Sequence, residues 1–133
     1  DSYKFDGGEI SLIQNNVLLV EYIAGQLITT RHLFEMKKIR ENILGNQKFH
    51  SITDARDGML NLSEEAKSFL EDENKFSLLR LSDSIIVNSF AKKIEIELQN
   101  RFHKPTVKTK VFTGLNKALC WIESLEKSTA ELV

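Results

Sequence analysis

The residues best suited to chemistry stand together where Phe49-His50-Ser51-Ile52-Thr53 runs into Asp54-Ala55-Arg56-Asp57-Gly58. Carboxylates and an imidazole suit a divalent cation, and Asp54, Asp57 and either Glu64 or His50 could supply them. No ligand spacing here is diagnostic of a metal site, so none is expected. The simpler chemistry is an ion pair: Arg56 can hold Asp54 or Asp57 through a planar, two-pronged guanidinium and so order the loop. A strand that stops at Asp54 delivers these charges to the carboxyl end of a sheet, where α/β proteins meet ligands and partners. Asp54, Arg56, Asp57 and Gly58 are therefore the candidate partner- or ligand-binding residues.

Other chemistries find less support. Nucleophilic catalysis needs a serine or cysteine held by a base, and Cys120 has no histidine near it in sequence. Gly7-Gly8 precedes a strand instead of opening a helix, so it reads as a turn and not a phosphate cradle. The remaining glycines, Gly25, Gly45, Gly58 and Gly114, are too scattered for a nucleotide-binding loop. Residues 101–110 carry four basic residues and no acid, a charge of +4, without the interleaved aromatics that stack on single strands. The expectation is a protein that is not an enzyme, with no cofactor, no metal and no nucleic-acid partner.

The elements that must position this loop follow from periodicity. Ile10 and Leu12 share one face of a strand over 9–14, Asn15-Asn16 makes a tight turn, and 17–23 is nearly continuous in apolar residues. Thr29 or Thr30 caps a helix whose apolar side gathers Leu33, Met36, Ile39, Ile43 and Leu44, with Gly45-Asn46 as its stop. His32 lies on that side and reads as a packed histidine. Phe34 lies on the opposite, charged side, either tucked under the preceding loop or left as a contact residue. Ser63 caps the helix after the 49–54 strand, and 84–87 is a buried strand.

The next helix, capped by Asn88 or Ser89, carries an ambiguity. Ile94-Glu95-Ile96-Glu97-Leu98 alternates like a strand, whereas Phe90, Ala91, Ile94, Leu98 and Phe102 line one helical face over a longer window. Read as a helix, it leaves Ile96 outside. Phe34 and Ile96 are then two apolar residues turned from their helices' buried faces, and at least one is expected in a self-association or partner interface, a homodimer being possible. His103-Lys104-Pro105 ends this helix. A strand over 106–112 and a final helix with Leu115, Ala118, Leu119, Ile122 and Leu125 on one face complete the chain.

The order β-β-α-β-α-β-α-β-α implies a single α/β domain over 1–133, ordered from about 9 to about 126. It calls for a mixed, mostly parallel sheet of about five strands, an N-terminal antiparallel hairpin and about four helices. The chain has 133 residues, a net charge of −1, 41% hydrophobic and 28% charged residues, as an ordinary soluble domain has. That balance gives no general attraction to nucleic acid or anionic membrane. Residues 54–73 carry seven acids against two bases, a local −5 that a solvated face explains. One cysteine excludes an internal disulfide, and apolar runs as short as 17–20 cannot span a membrane. With no signal-peptide pattern, a cytoplasmic location is expected.

At this point short motifs coincide with the element order. Asp54-Ala55-Arg56 closes the central strand, Ser63-Glu64-Glu65-Ala66 opens a helix, and Lys104-Pro105 precedes the last strand. Val111-Phe112-Thr113 then runs into Ala118-Leu119-Cys120-Trp121-Ile122. Together these resemble the STAS-like (SpoIIAA-like) bacterial domains, best known as anti-sigma-factor antagonists, and more closely an uncharacterised family labelled STAS/SEC14-like. The resemblance implies a non-catalytic regulatory or protein-interaction module that presents the 54–62 loop and the following helix to a protein partner. Its SEC14-like side implies, as the alternative, a carrier or sensor of a small lipid-like or anionic ligand. One departure is plain. Anti-sigma-factor antagonists read Asp-Ser-Ser-Gly in this loop, and the serine before the glycine accepts phosphate. That serine falls on Arg56 without a gap, or on Asp57 with one inserted residue and Gly58 as the glycine. Neither side chain has a hydroxyl, so no serine phospho-switch is expected here.

Overall fold

The chain was analysed as a computed structural model that describes residues 2–57, 61–102 and 104–131. Gly58, His103 and the side chain of Phe102, all used in the reading above, lie outside the described residues. In chain order the elements are β1 (Ser2–Phe5), β2 (Gly8–Gln14), β3 (Val17–Tyr22), β4 (Leu27–Ile28) and α1 (Thr30–Leu44). β5 (Phe49–Asp54), β6 (Asn61–Leu62), α2 (Glu64–Ser77) and β7 (Arg80–Ile86) follow, then α3 (Phe90–Phe102), β8 (Lys108–Phe112) and α4 (Leu115–Glu131).

Six strands form the main sheet in the order β1-β2-β3-β5-β7-β8. The first three are antiparallel neighbours, and β3, β5, β7 and β8 run parallel. This is the mixed, mostly parallel sheet with an N-terminal hairpin that the sequence implies. It is larger at one edge, because Ser2–Phe5 pairs with β2, and α4 continues to Glu131, so order extends past 9 and 126 at both ends. Tyr3 and Phe5 do alternate with Ser2 and Lys4 along β1, but over four residues, a run too short to stand out as a strand. Gly8 is required where the hairpin closes: a Cβ there would stand 2.1 Å from the backbone oxygen of Glu21.

Alternation along the strands splits the core in two. Val17, Ile52, Ile86 and Phe112 face α4 and pack on Ala118 and Ile122. Ile10, Leu18, Val20 and Phe49 face the other way, against Met36, Ile39 and Ile43 of α1. Ala66 of α2 packs with Ile28 and Leu33 beside them. The helix starts are made as the sequence suggests. The Ser63 hydroxyl accepts from the Ala66 N–H at 3.1 Å, the Ser89 hydroxyl accepts from that of Lys92 at 3.2 Å, and buried His32 accepts the Thr29 N–H through Nδ1 at 2.9 Å.

Helix α3 overturns one expectation. Ile96 is 6% exposed, packed with Val87 and Val111, while Phe90, Ile94 and Leu98 are 67%, 49% and 51% exposed. Ile96 is thus no surface contact residue. The reason is the width of the seat. At this end of the sheet the apolar seat under α3 is Ile85, Val87 and Val111, narrow enough for one isoleucine to cover, with Lys92 and Lys93 half-buried beside it. The number of apolar residues points to the wrong face because Phe90, Ile94 and Leu98 are left exposed by the described residues. A stability comparison checks the placement. Ile96→Ala should cost about 2 kcal/mol or more in urea unfolding, and Leu98→Ala should stay within about 0.5 kcal/mol.

Candidate functional site

At the carboxyl end of β5 the Asp54–Arg56 pair forms as the residue types require. Arg56 donates from Nε and Nη2 to the two carboxylate oxygens of Asp54, at 2.9 and 2.7 Å. Its backbone N–H adds a third bond to Asp54 Oδ1, at 3.1 Å. The guanidinium holds the Asp54 carboxyl below its usual range, and the carboxylate raises Arg56 in return. Two further bonds anchor the turn: Ala55 N–H to Ile86 O at 2.8 Å, and Asn88 Nδ2 to Arg56 O at 2.9 Å. Asp57 is exposed beside them. The guanidinium is therefore committed to ordering the loop, and the loop is tied to the start of α3.

Phe34 belongs elsewhere. It is 49% exposed, with its ring 6.4 Å from that of Phe69 on α2 and Lys38 Nζ 5.3 Å above it. Among the described residues no group of three or more His, Cys, Asp or Glu side chains is gathered as a metal site.

Two further clusters grow from the pairing of β5 with β7, whose register sets His50 beside Ser82 and Ser51 beside Asp83. On the α4 face His50 Nδ1 lies 2.7 Å from Ser82 Oγ, and Nε2 lies 2.6 Å from Glu126 Oε1. Asn16 Nδ2 donates to the same Glu126 oxygen at 3.3 Å. The bonds from His50 and Asn16 hold Glu126 below the usual carboxylate range. Serine, histidine and carboxylate in this order are the parts of an acyl-transfer triad. Here Ser82 is 0% and His50 2% exposed. A serine no substrate can touch is a structural hydroxyl, and the cluster pins α4 to the sheet.

On the opposite face Ser51 and Thr53 donate to Asp83 Oδ1 at 3.1 and 3.4 Å, and Arg80 Nη1 donates to Ser51. These groups floor a cavity of about 90 Å³ beneath α1 and α2, walled by Ile10, Val20, Leu33 and Met36. Loss of water pushes the Asp83 carboxyl above its usual range and the Tyr22 phenol likewise. Reading the sequence found the loop but neither of these clusters. The signal was present in the unusually polar run His50-Ser51-x-Thr53, answered by Ser82-Asp83 in the next parallel strand. Two central strands that are polar at the same register must satisfy each other inside the protein.

Residues 11–126 match the model of a family described as Domain of unknown function (DUF7793). The chain belongs to this family. A DUF7793 domain thus has the fold of a solved structure, an uncharacterized protein of the DUF3478 family with a SpoIIAA-like fold from Shewanella loihica PV-4. The two are 19% identical, with a TM-score of 0.59, over 84% of this chain and 89% of that one. At that identity the likeness is one of fold, and it agrees with the STAS-like resemblance of the sequence. No curated protein matches the chain.

Asp83 gives this DUF7793 domain a distinctive pH response. Its raised carboxyl binds a proton more tightly folded than unfolded, so stability falls as pH rises through the folded-state pKa. Asp83→Asn should raise the urea midpoint at pH 8 and leave it nearly unchanged at pH 4. A gain of equal size at both pH values would remove the carboxyl as its cause.

Proposed function

We propose that this domain is a non-catalytic interaction module, which binds a protein partner across the outer face of α3 and the loop beside it. One observation carries the reading. Phe90, Ile94 and Leu98 recur every fourth residue and stand exposed in one row along α3. Side chains at that spacing share one face of a helix. Scattered surface leucines mean little, but a continuous apolar row is a contact surface. The neighbouring charges are already engaged, Lys92 with Glu95 and Lys93 with Glu97, each at 3.3 Å. Recognition here is thus apolar and shape-driven, suited to the apolar face of a partner helix.

The loop supports the same reading. Asn88 ties it to the start of α3, so Asp57 and the row beginning at Phe90 are parts of one surface. A loop without a hydroxyl at Arg56 or Asp57 makes the interaction constitutive with respect to serine phosphorylation there. The absence of catalysis is supported by the inaccessible Ser82–His50 pair. Among the described residues no helix is long and apolar enough to cross a membrane.

A photo-crosslinking amino acid tests the surface. Placed at Ile94 in the native cell, it should give one discrete heavier adduct, and placed at Lys117 on α4 it should give none. Leu98→Glu should abolish the Ile94 adduct while leaving the unfolding midpoint in place. Adducts of equal yield from both positions, or none from Ile94, would remove α3 as the interface. A second check concerns catalysis: a fluorophosphonate that labels serine nucleophiles should leave Ser82 unmodified in the native protein and modify no residue stoichiometrically.

A further inference from the structure

The cavity beneath α1 and α2 contains more cationic hydrogen-bonding capacity than this chain satisfies. Arg40 and Arg80 both line it, each with its guanidinium carbon 5.0 Å from the centre of the Phe49 ring. Arg80 is well supplied, since Nε donates to Asn74 at 3.0 Å and Nη1 to Ser51. Arg40 is not. It is 5% exposed, its Nη2 reaches Glu73 only at 3.5 Å, and its Nη1 is buried with no hydrogen-bond partner among the described residues. A buried charged donor left unpaired is costly, and native interiors seldom tolerate one without an occupant that completes it.

We propose that this cavity binds a short-chain carboxylate, with its oxygens on Arg40 Nη1 and its hydrocarbon end among Ile10, Val20 and Leu33. The charge argument selects an anion: Lys37, Arg40 and Arg80 line the space with Glu73 and Asp83 as the only acids. Withdrawal of Asp83 from water favours its neutral form, which deepens the cationic surplus. The shape argument selects the rest. A planar carboxylate matches guanidinium donors, and Ile10, Leu18, Val20, Leu33 and Leu70 give the space an aliphatic side beside the Phe49 and Tyr22 rings. A volume of about 90 Å³ is smaller than the roughly 150 Å³ known to take benzene, so the occupant has on the order of five non-hydrogen atoms. Propionate is of that size.

The full chain, labelled with ¹⁵N and methyl ¹³C, is titrated with propionate, with propionamide as its uncharged counterpart, and with inorganic phosphate. Propionate should give saturable shifts confined to the methyls of Ile10, Val20 and Leu33 and to the Arg40 side chain, with a Kd on the order of a millimolar for so small a ligand. Propionamide and phosphate should give none. Arg40→Met keeps the length of the side chain and removes the unpaired donor, so it should fold and weaken propionate binding about tenfold or more. If that variant does not fold, the comparison of propionate with propionamide on the native protein decides alone. No saturable shift with propionate, or equal shifts with propionamide, would mean that Arg40 Nη1 is met by water only and overturns the site. Binding of phosphate with propionate silent would overturn the ligand class.

Discussion

The parallel pairing of β5 with β7 is the constraint on which both faces of this domain depend. Its register brings His50 to Ser82 and Ser51 to Asp83, so each face of the sheet receives a polar pair where aliphatic side chains usually meet. A slip of β5 by one residue would turn His50 toward α1 and put Ser51 under α4, each away from its partner on β7. The alternation thus fixes the register twice, once through hydrophobic burial of Phe49 and Ile52 and once through hydrogen bonds that only one alignment can make. Neutral hydrogen bonds add only about 1 kcal/mol each to stability, but a buried partner left without its mate costs more. The polar seam therefore contributes more to choosing one structure than to the depth of its minimum.

The two faces use that seam differently. Toward α4, Ser82, His50, Glu126 and Asn16 form a chain of donors and acceptors that ends at the surface, and beside it only the neutral Ser84 hydroxyl is buried without a partner among the described residues. Toward α1 and α2 the set is open, because Arg40 enters the interior with one donor uncommitted. Removing Arg40 from water is offset in part by Glu73 and by the face of Phe49. The unpartnered group is thus a neutral hydroxyl on one face and a charged guanidinium on the other.

How much the sequence reveals depends on whether a residue's partner is near it in the chain. Asp54 and Arg56 are two residues apart, and their pairing follows from their types alone. The caps at Ser63 and Ser89 and the buried His32 were readable for the same local reason. His50 and Glu126 are 76 positions apart, and Arg40 and Glu73 are 33 apart. Such partners become neighbours only through the sheet order, so the polar strand could be noticed but not interpreted. Ile96 failed for a further reason. Helical periodicity identifies two candidate faces, and the choice between them lies in what the rest of the fold offers to cover.

That failure bears on where a partner would bind. A helix apolar on two sides satisfies only one of them against its own sheet, and the other is either a cost in solubility or a place for another molecule. The exposed Asp54–Arg56 pair is a weaker anchor than its geometry suggests, since such surface pairs contribute about 1 kcal/mol or less and are screened by salt. Its effect is to hold the backbone of the turn, and through Asn88 the start of α3, in one conformation before any partner arrives. A surface ordered in advance loses less conformational freedom on binding, so its apolar contacts appear more fully in the affinity. In the proposed interaction the charged loop therefore acts by positioning, and the apolar row beside it would supply the contact.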